Sequence, residues 1–226
     1  MKAHLLDGAT IVVGIVLALL LDQGWRTASD RLEEREAIAG LRAEFETGRS
    51  ELAADQQARR DALARLERLL RAAEGGPAVH PDSVAAFTAA MLDYRFYTPS
   101  HPVLDDLIAS GRLHLLRSDA LRYRIMRYLQ ERDRLAIVEE RERRFSADRM
   151  EPWLLDHLPL GPPRTPDDEV LWGPHVDPES LDEALLDPSF RTLLVLRVER
   201  TDIALRFSSG LGRSLEAALA SLDPRR

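Results

Sequence analysis

Residues 8 to 21 read GATIVVGIVLALLL, fourteen positions without a charge, and the chain then passes with no proline into a charged helical pattern that lasts to residue 73. A hydrocarbon core about 30 Å thick needs about 20 residues of helix at 1.5 Å each. The run reaches that length when it is extended from Leu5 to Trp25, which puts Asp7 and Asp22 near the two interfaces. Lys2 lies beside Asp7. Asp22 is followed by Trp25 and Arg26, an indole and a guanidinium of the kinds that hold a span at headgroup level. A secretory signal carries an apolar core of similar length but needs small residues before its cleavage point, and Arg26-Thr27-Ala28 offers an arginine there. A buried helix of a soluble domain is the third reading, and helices apolar all round are uncommon in a helical domain of this size.

The expectation is therefore an all-α, single-pass chain. Residues 1–26 form a transmembrane anchor in the lipid bilayer, and residues 27–226 form one antiparallel helical bundle. Gly14 and Ala18 are small and one turn apart, so a second helix could approach the anchor closely there. Lys2 before the span against Arg26, Arg31 and Arg35 after it weakly favours a cytoplasmic body.

Composition narrows the chemistry. The absence of cysteine removes disulfides, thiol nucleophiles and thiolate metal sites. Lys2 is the one lysine, so the body has none to form a Schiff base or a phosphate-loop contact. A net charge of −7 leaves no electrostatic footprint for nucleic acid. No cofactor is implied by any motif.

Along the body, Ile38, Leu41, Phe45, Gly48, Leu52, Ala62, Leu66 and Leu69 recur at helical three-four spacing. Asp55 and Arg59 fall on the same seam and weaken its middle. Gly75-Gly76-Pro77 ends this helix. Two short helices are predicted next, one after Pro81-Asp82 and one from Pro102 that Gly111 closes. Ser118 reads as an N-cap with Asp119 suited to the helix dipole. That helix carries Leu121, Ile125, Tyr128, Leu135 and Val138 on one face. Its charged runs, Glu131 to Arg134 and Glu139 to Arg144, read as a solvated surface.

Residues 152–187 are broken by prolines and glycines and read as irregular; no strand pattern is present. Asp187-Pro188 then starts the last helix. It bears the cleanest coiled-coil-like seam: Leu194, Val198, Thr201, Leu205, Ser208, Gly212, Leu215, Leu219 and Leu222. Ser208 and Gly212 are small, which predicts close approach of a neighbouring helix. With tight turns the three long helices would alternate: outward from the membrane, back from Ser118, and outward again from Pro188. The short helices would cap the far end, and residues 152–187 would return to the membrane-near end. Trp153 and Trp172 would then either touch the bilayer surface or close the bottom of the bundle.

Two stretches carry a family resemblance. Ile11 to Leu19 with Asp22-Gln23-Gly24-Trp25-Arg26, and Leu104-Asp105-Asp106-Leu107-Ile108-Ala109-Ser110-Gly111-Arg112-Leu113 with Leu121-Arg122 and Tyr128, resemble a family of uncharacterised bacterial single-pass membrane proteins. Members have an N-terminal anchor and a helical domain with a Leu-x-x-Leu-x-x-Ser-Gly-x-Leu stretch. The resemblance covers about the first 45 residues and 104–130. It implies a bacterial inner-membrane protein with a periplasmic body and carries over no catalytic or binding residue.

Candidate chemistry is sparse. His101 lies one helical turn from Asp105, but a metal site needs a third ligand and an orienting shell, and Pro102 places His101 at a helix start. Asp156-His157 are adjacent and diverge on a helix. Asp167-Asp168-Glu169 lies in the irregular stretch and reads as a solvated loop. Ser208-Ser209-Gly210 lacks the strand-to-helix elbow that activates a serine. The functional expectation is a membrane-anchored, non-enzymatic interaction or scaffold module, either an accessory subunit of a membrane protein complex or a self-associating chain. A ligand-sensing bundle that signals through a partner is the second reading.

Overall fold

Nothing between residues 2 and 73 interrupts a helix once it has started, because no proline removes a donor there. In the computed structural model the first element, α1 (Lys2–Ala73), is accordingly one unbroken helix of 72 residues. The structure describes residues 2–80, 83–158, 160–161, 175–176 and 178–222, with side chains at 25, 29–80, 83–158, 176 and 179–222. The remaining helices are α2 (Val84–Leu92), α3 (Pro102–Ala109), α4 (Asp119–Phe145), α5 (Glu151–His157), α6 (Pro178–Leu185) and α7 (Pro188–Ser221). Among the described residues the regular structure is helical apart from a short ribbon, in which β1 (Leu160–Gly161) pairs antiparallel with β2 (His175–Val176), Leu160 opposite Val176. That ribbon has no hydrophobic alternation to announce it, so the sequence reads as irregular there.

The helix boundaries follow local chemistry. The Ser118 hydroxyl accepts the Leu121 N–H at 3.2 Å, and the Asp187 carboxylate accepts the Ser189 N–H at 2.6 Å; each satisfies a donor that the first helical turn leaves open. Gly111 ends the α3 region at φ 68°, a conformation that costs glycine little. Between α4 and α5 the rod is continuous but widens to a π-turn at Ser146–Met150. Pro152 follows at once. Its ring and missing N–H disfavour a regular α-helical turn before it, and the π-turn takes up the mismatch.

The direction of the helices differs from simple alternation. Arg117 at the start of α4 donates its N–H to Glu34 of α1, and Glu139 further along α4 pairs with Arg59. So α4 runs parallel to α1. Helix α7 runs opposite to both, from Arg197 beside Glu142 to Leu222, whose carbonyl accepts from Arg42. The reason is residues 93–101, which form no helix and carry the chain back along the bundle, from Asp93 beside Arg197 past Tyr97 at Gly48 to Leu104 at Glu44, before α4 begins. Only α7 is antiparallel to its long neighbours.

Two apolar clusters result. Near the N-terminal end, Leu41, Phe45 and Leu52 pack with Leu104, Tyr128 and Leu215. At the far end, Leu66, Leu69 and Ala73 pack with Met91, Leu158, Val176 and Phe190. Leu154, Leu158, Val176 and Leu181 all belong to the far cluster. The described parts of 152–187 therefore stay at the end remote from the N-terminus, and the expected return of this segment to the membrane-near end is corrected. Ala184 and Leu185 join them there, so these apolar side chains hold the described parts of the segment at that end. Of the two short-helix regions, α2 is in the far cluster as expected, but α3 packs at the near end.

Among the described residues no helix is long and apolar enough to cross a membrane. The side chains of Leu5 to Gly24, which include Asp7, Gly14, Ala18 and Asp22, lie outside the described residues, as does that of Arg26. Trp25 is 78% exposed.

Candidate functional site

The two clusters are separated by a charged layer. Each long helix keeps one heptad-like seam, and each seam turns polar at the same level: Asp55 and Arg59 on α1, Glu139 and Glu142 on α4, Arg197 and Thr201 on α7. Glu139 and Arg197 are each only 1% exposed. A charge this deep is tolerated only when paired and hydrogen-bonded. Arg59 meets that condition with Asp55 at 2.7 Å, Glu139 at 2.5 Å, Glu142 at 3.4 Å and the Arg95 carbonyl at 3.0 Å. Arg197 donates to Glu142 and to the Asp93 carbonyl, and to the Met91 carbonyl at 3.1 Å. Thr201 donates its hydroxyl to Glu142 at 3.2 Å.

The layer explains how an extended strap survives in a helical bundle. Backbone groups of residues 91–97 have no ladder partner, and buried polar backbone must be satisfied. The two arginines take the carbonyls of Met91, Asp93 and Arg95, and Glu139 accepts the Tyr97 N–H at 3.1 Å. The side chains thus do the work of a neighbouring strand and pin the strap to all three long helices.

Two guanidinium groups face three carboxylates here, so the layer carries one negative charge in excess. Burial pushes the Glu139 carboxyl up to about 7; Arg59 and the Tyr97 N–H pull it down, while Asp55 and Glu142 push it further up. Below a pH of about 7 a proton on Glu139 balances the layer. Burial also works against the charged form of Arg59, but Asp55, Glu139 and Glu142 outweigh it and hold its pKa above the ordinary value. On the surface of α4, Glu140 accepts from Arg143 and Arg144 and is held down at about 2.

Below the layer lies an aromatic group. His101 Nε2 is 2.6 Å from the Tyr128 hydroxyl, and Tyr97 donates its hydroxyl to the Gly48 carbonyl at 2.9 Å. Burial holds the imidazole below its usual range, helped by the positive Arg132. Burial also raises the Tyr97 phenol to about 12. Gly48 eases this approach: a Cβ there would stand 3.0 Å from the Tyr97 hydroxyl and 3.3 Å from the His101 ring, tighter than ordinary van der Waals contact.

The residues singled out from sequence are distributed as follows. His101 stands at the N-cap position of α3 with its side chain turned to Tyr128 rather than to the helix, while Asp105 is exposed. No group of three or more potential metal ligands comes together among the described residues. Ser208 is fully buried, and the backbone carbonyl of Ser208 accepts from Gln56 at 3.0 Å. At Gly212 a Cβ would stand 3.3 Å from Gln56 and 3.7 Å from Leu52, so α7 meets α1 closely at that level. Trp153 stacks on Phe190 with ring centroids 4.5 Å apart and donates to Ser189 at 3.0 Å. It closes the far end of the bundle. Trp172 and Asp167 to Glu169 lie outside the described residues. Glu139 and Glu142, read from sequence as part of a solvated surface, are buried; the correction follows from the strap, which covers that face of α4. Arg197 was not anticipated at all. Its signal is a lone arginine on the seam between Leu194 and Thr201.

These features define a class: an all-α bundle with a buried ionic layer that fixes an extended strap. Compared with known protein families, curated proteins and solved structures, the chain matches none.

Proposed function

We propose that this chain is a membrane-anchored, non-enzymatic interaction module of the bacterial inner membrane, whose partner is a membrane protein or a second copy of itself. The observation that carries the reading is continuity. The apolar stretch of residues 8–21 and the bundle's first long helix belong to one helix, Lys2–Ala73. At 1.5 Å per residue, Trp25 at headgroup level puts the start of the bundle at Glu34 about 14 Å from the interface and its far end about 70 Å away. Gly14 and Ala18 give the anchor a face for a second helix, and Asp7, Asp22, Trp25 and Arg26 mark its ends. The family resemblance supports a periplasmic body. The charged layer supports a rigid module, since every donor and acceptor that it commits holds helices and strap together.

Isolation of the full chain from membranes in a mild detergent tests this reading. A stoichiometric membrane-protein partner, or a defined homo-oligomer, is expected. A monomer without a partner, together with turnover of any compound, would overturn it. The second reading, a ligand-sensing bundle acting through a partner, is favoured by one observation: a buried layer whose charge balance changes near neutral pH.

A further inference from the structure

We propose that the cleft between α4 and α7 binds a small molecule bearing a multivalent oxyanion, a phosphorylated or polycarboxylate compound. The cleft measures about 470 Å³, within the range of small-molecule sites. Its floor on α7 is made of Gly210, Ser214 and Ala217, small residues on one face. Its walls include Arg124 and Arg127 of α4 and Arg213 of α7, with Tyr123 at the rim.

Charge selects the ligand. The chain as a whole has net charge −7, yet three guanidinium groups converge here beside a single carboxylate, Glu131. That carboxylate is already paired with Arg134 at 3.0 Å. Arg124 bridges the helices by donating to the Ala217 carbonyl at 2.9 Å and the Ser221 hydroxyl at 2.6 Å. Arg127 and Arg213 have no hydrogen-bond or ion-pair partner among the described residues. Two unengaged guanidinium forks beside an anchored third suit an anion with several oxygens, because each fork can take two of them. Tyr123 is 66% exposed and offers a ring face to the rest of the ligand. A Cβ at Gly210 would meet Glu131 at 3.8 Å and Arg213 at 3.9 Å, so both side chains border the floor at that position.

A lipid headgroup would present the same chemistry, but the cleft is too far along the rod. Its α7 wall lies level with α1 between Arg42, which reaches Leu222, and Gln56, which reaches the Ser208 carbonyl. Those positions are about 25 to 45 Å beyond Trp25 along the helix. The binding proposal itself stands whether or not the anchor reading holds.

The test is titration of the full chain in mild detergent with pyrophosphate and with citrate, at ionic strength held constant with sodium chloride, read by melting temperature and calorimetry. Saturable binding is expected for at least one of the two. Arg127→Gln with Arg213→Gln should weaken it at least tenfold, while Arg141→Gln with Arg191→Gln, remote exposed positions, should leave it unchanged. Gly210→Glu, which keeps the arginines and adds a carboxylate to the floor, should abolish it. Absence of saturable binding, or equal binding by the cleft variants and the native chain, overturns the proposal. Cleft-dependent binding to phosphatidylglycerol vesicles with no response to either soluble anion would also overturn it, in favour of a headgroup.

Discussion

Glu139→Gln probes the charged layer with a change of one atom. The carboxyl is raised from an ordinary 4.5 to about 7 because it is buried. The folded protein therefore holds this proton more tightly than the unfolded chain. The stability it contributes is present in full below pH 4.5 and is lost as pH rises through about 7. Each tenfold step in proton affinity is worth about 1.4 kcal/mol, so the native protein should lose about 2–3 kcal/mol from this group between pH 5 and pH 8. Glutamine cannot ionise and keeps an oxygen to accept from Tyr97 and Arg59. His101 works in the opposite sense: its imidazole is held below the usual 6.5 by burial, so its contribution is present above that value and fades as pH falls. Comparison of the two proteins cancels the histidine, which they share. Urea unfolding of the full chain in mild detergent, followed by far-ultraviolet circular dichroism at pH 5, 6, 7 and 8, gives the difference directly. The gap should move in the variant's favour by about 2–3 kcal/mol from pH 5 to pH 8. A gap that is constant with pH, or that moves towards the native protein, refutes the assigned proton.

Arg59→Met leaves Glu139 and Glu142 buried without their shared cation and should cost about 3–5 kcal/mol in urea unfolding at pH 8; a cost under about 1 kcal/mol would mean that the layer is hydrated. Gly48→Ala forces the Tyr97 hydroxyl and the His101 ring away from α1 and should cost about 1–3 kcal/mol, part of which Tyr97→Phe in the same chain restores; thermal melting reads both. Ser118→Ala removes the N-cap of α4 and should cost about 1 kcal/mol, with faster amide exchange confined to the first turn of that helix.

The long helices, their caps and most of the core were legible in the sequence, because periodicity and capping chemistry are local. The exact seam was not. In α7 the buried seam runs Leu194, Arg197, Thr201, Ala204, Ser208, Leu211, Leu215, Ala218 and Leu222, with Phe190 and Ser214 buried as well. The reading from hydrophobicity picks Val198, Leu205, Gly212 and Leu219 in place of Arg197, Ala204, Leu211 and Ala218. It shares every second position and takes a larger apolar residue at Leu205 and Leu219 and an apolar one at Val198, whereas the core holds Ala204 and Ala218 for fit and Arg197 for its partners. The same holds on α4, where Val138 is half-buried and its neighbour Glu139 is buried. Asp55 and Arg59 stood on the α1 seam as apparent defects and proved to be half of the charged layer. What the sequence could not disclose was the strap, since residues 93–101 carry no periodic signal and their hydrogen bonds go to side chains from distant parts of the chain. Helix direction depended on that strap and was misjudged with it.

A membrane-anchored module requires the first helix to be held in lipid while its continuation builds the bundle. Extraction of membranes from expressing cells with sodium carbonate at high pH measures this most directly. The full-length chain is expected to stay in the pelleted membranes, and a version with Val13 and Val16 changed to aspartate to leave them. Release of the native chain into the supernatant, or a mature product that begins beyond Leu21, would contradict it.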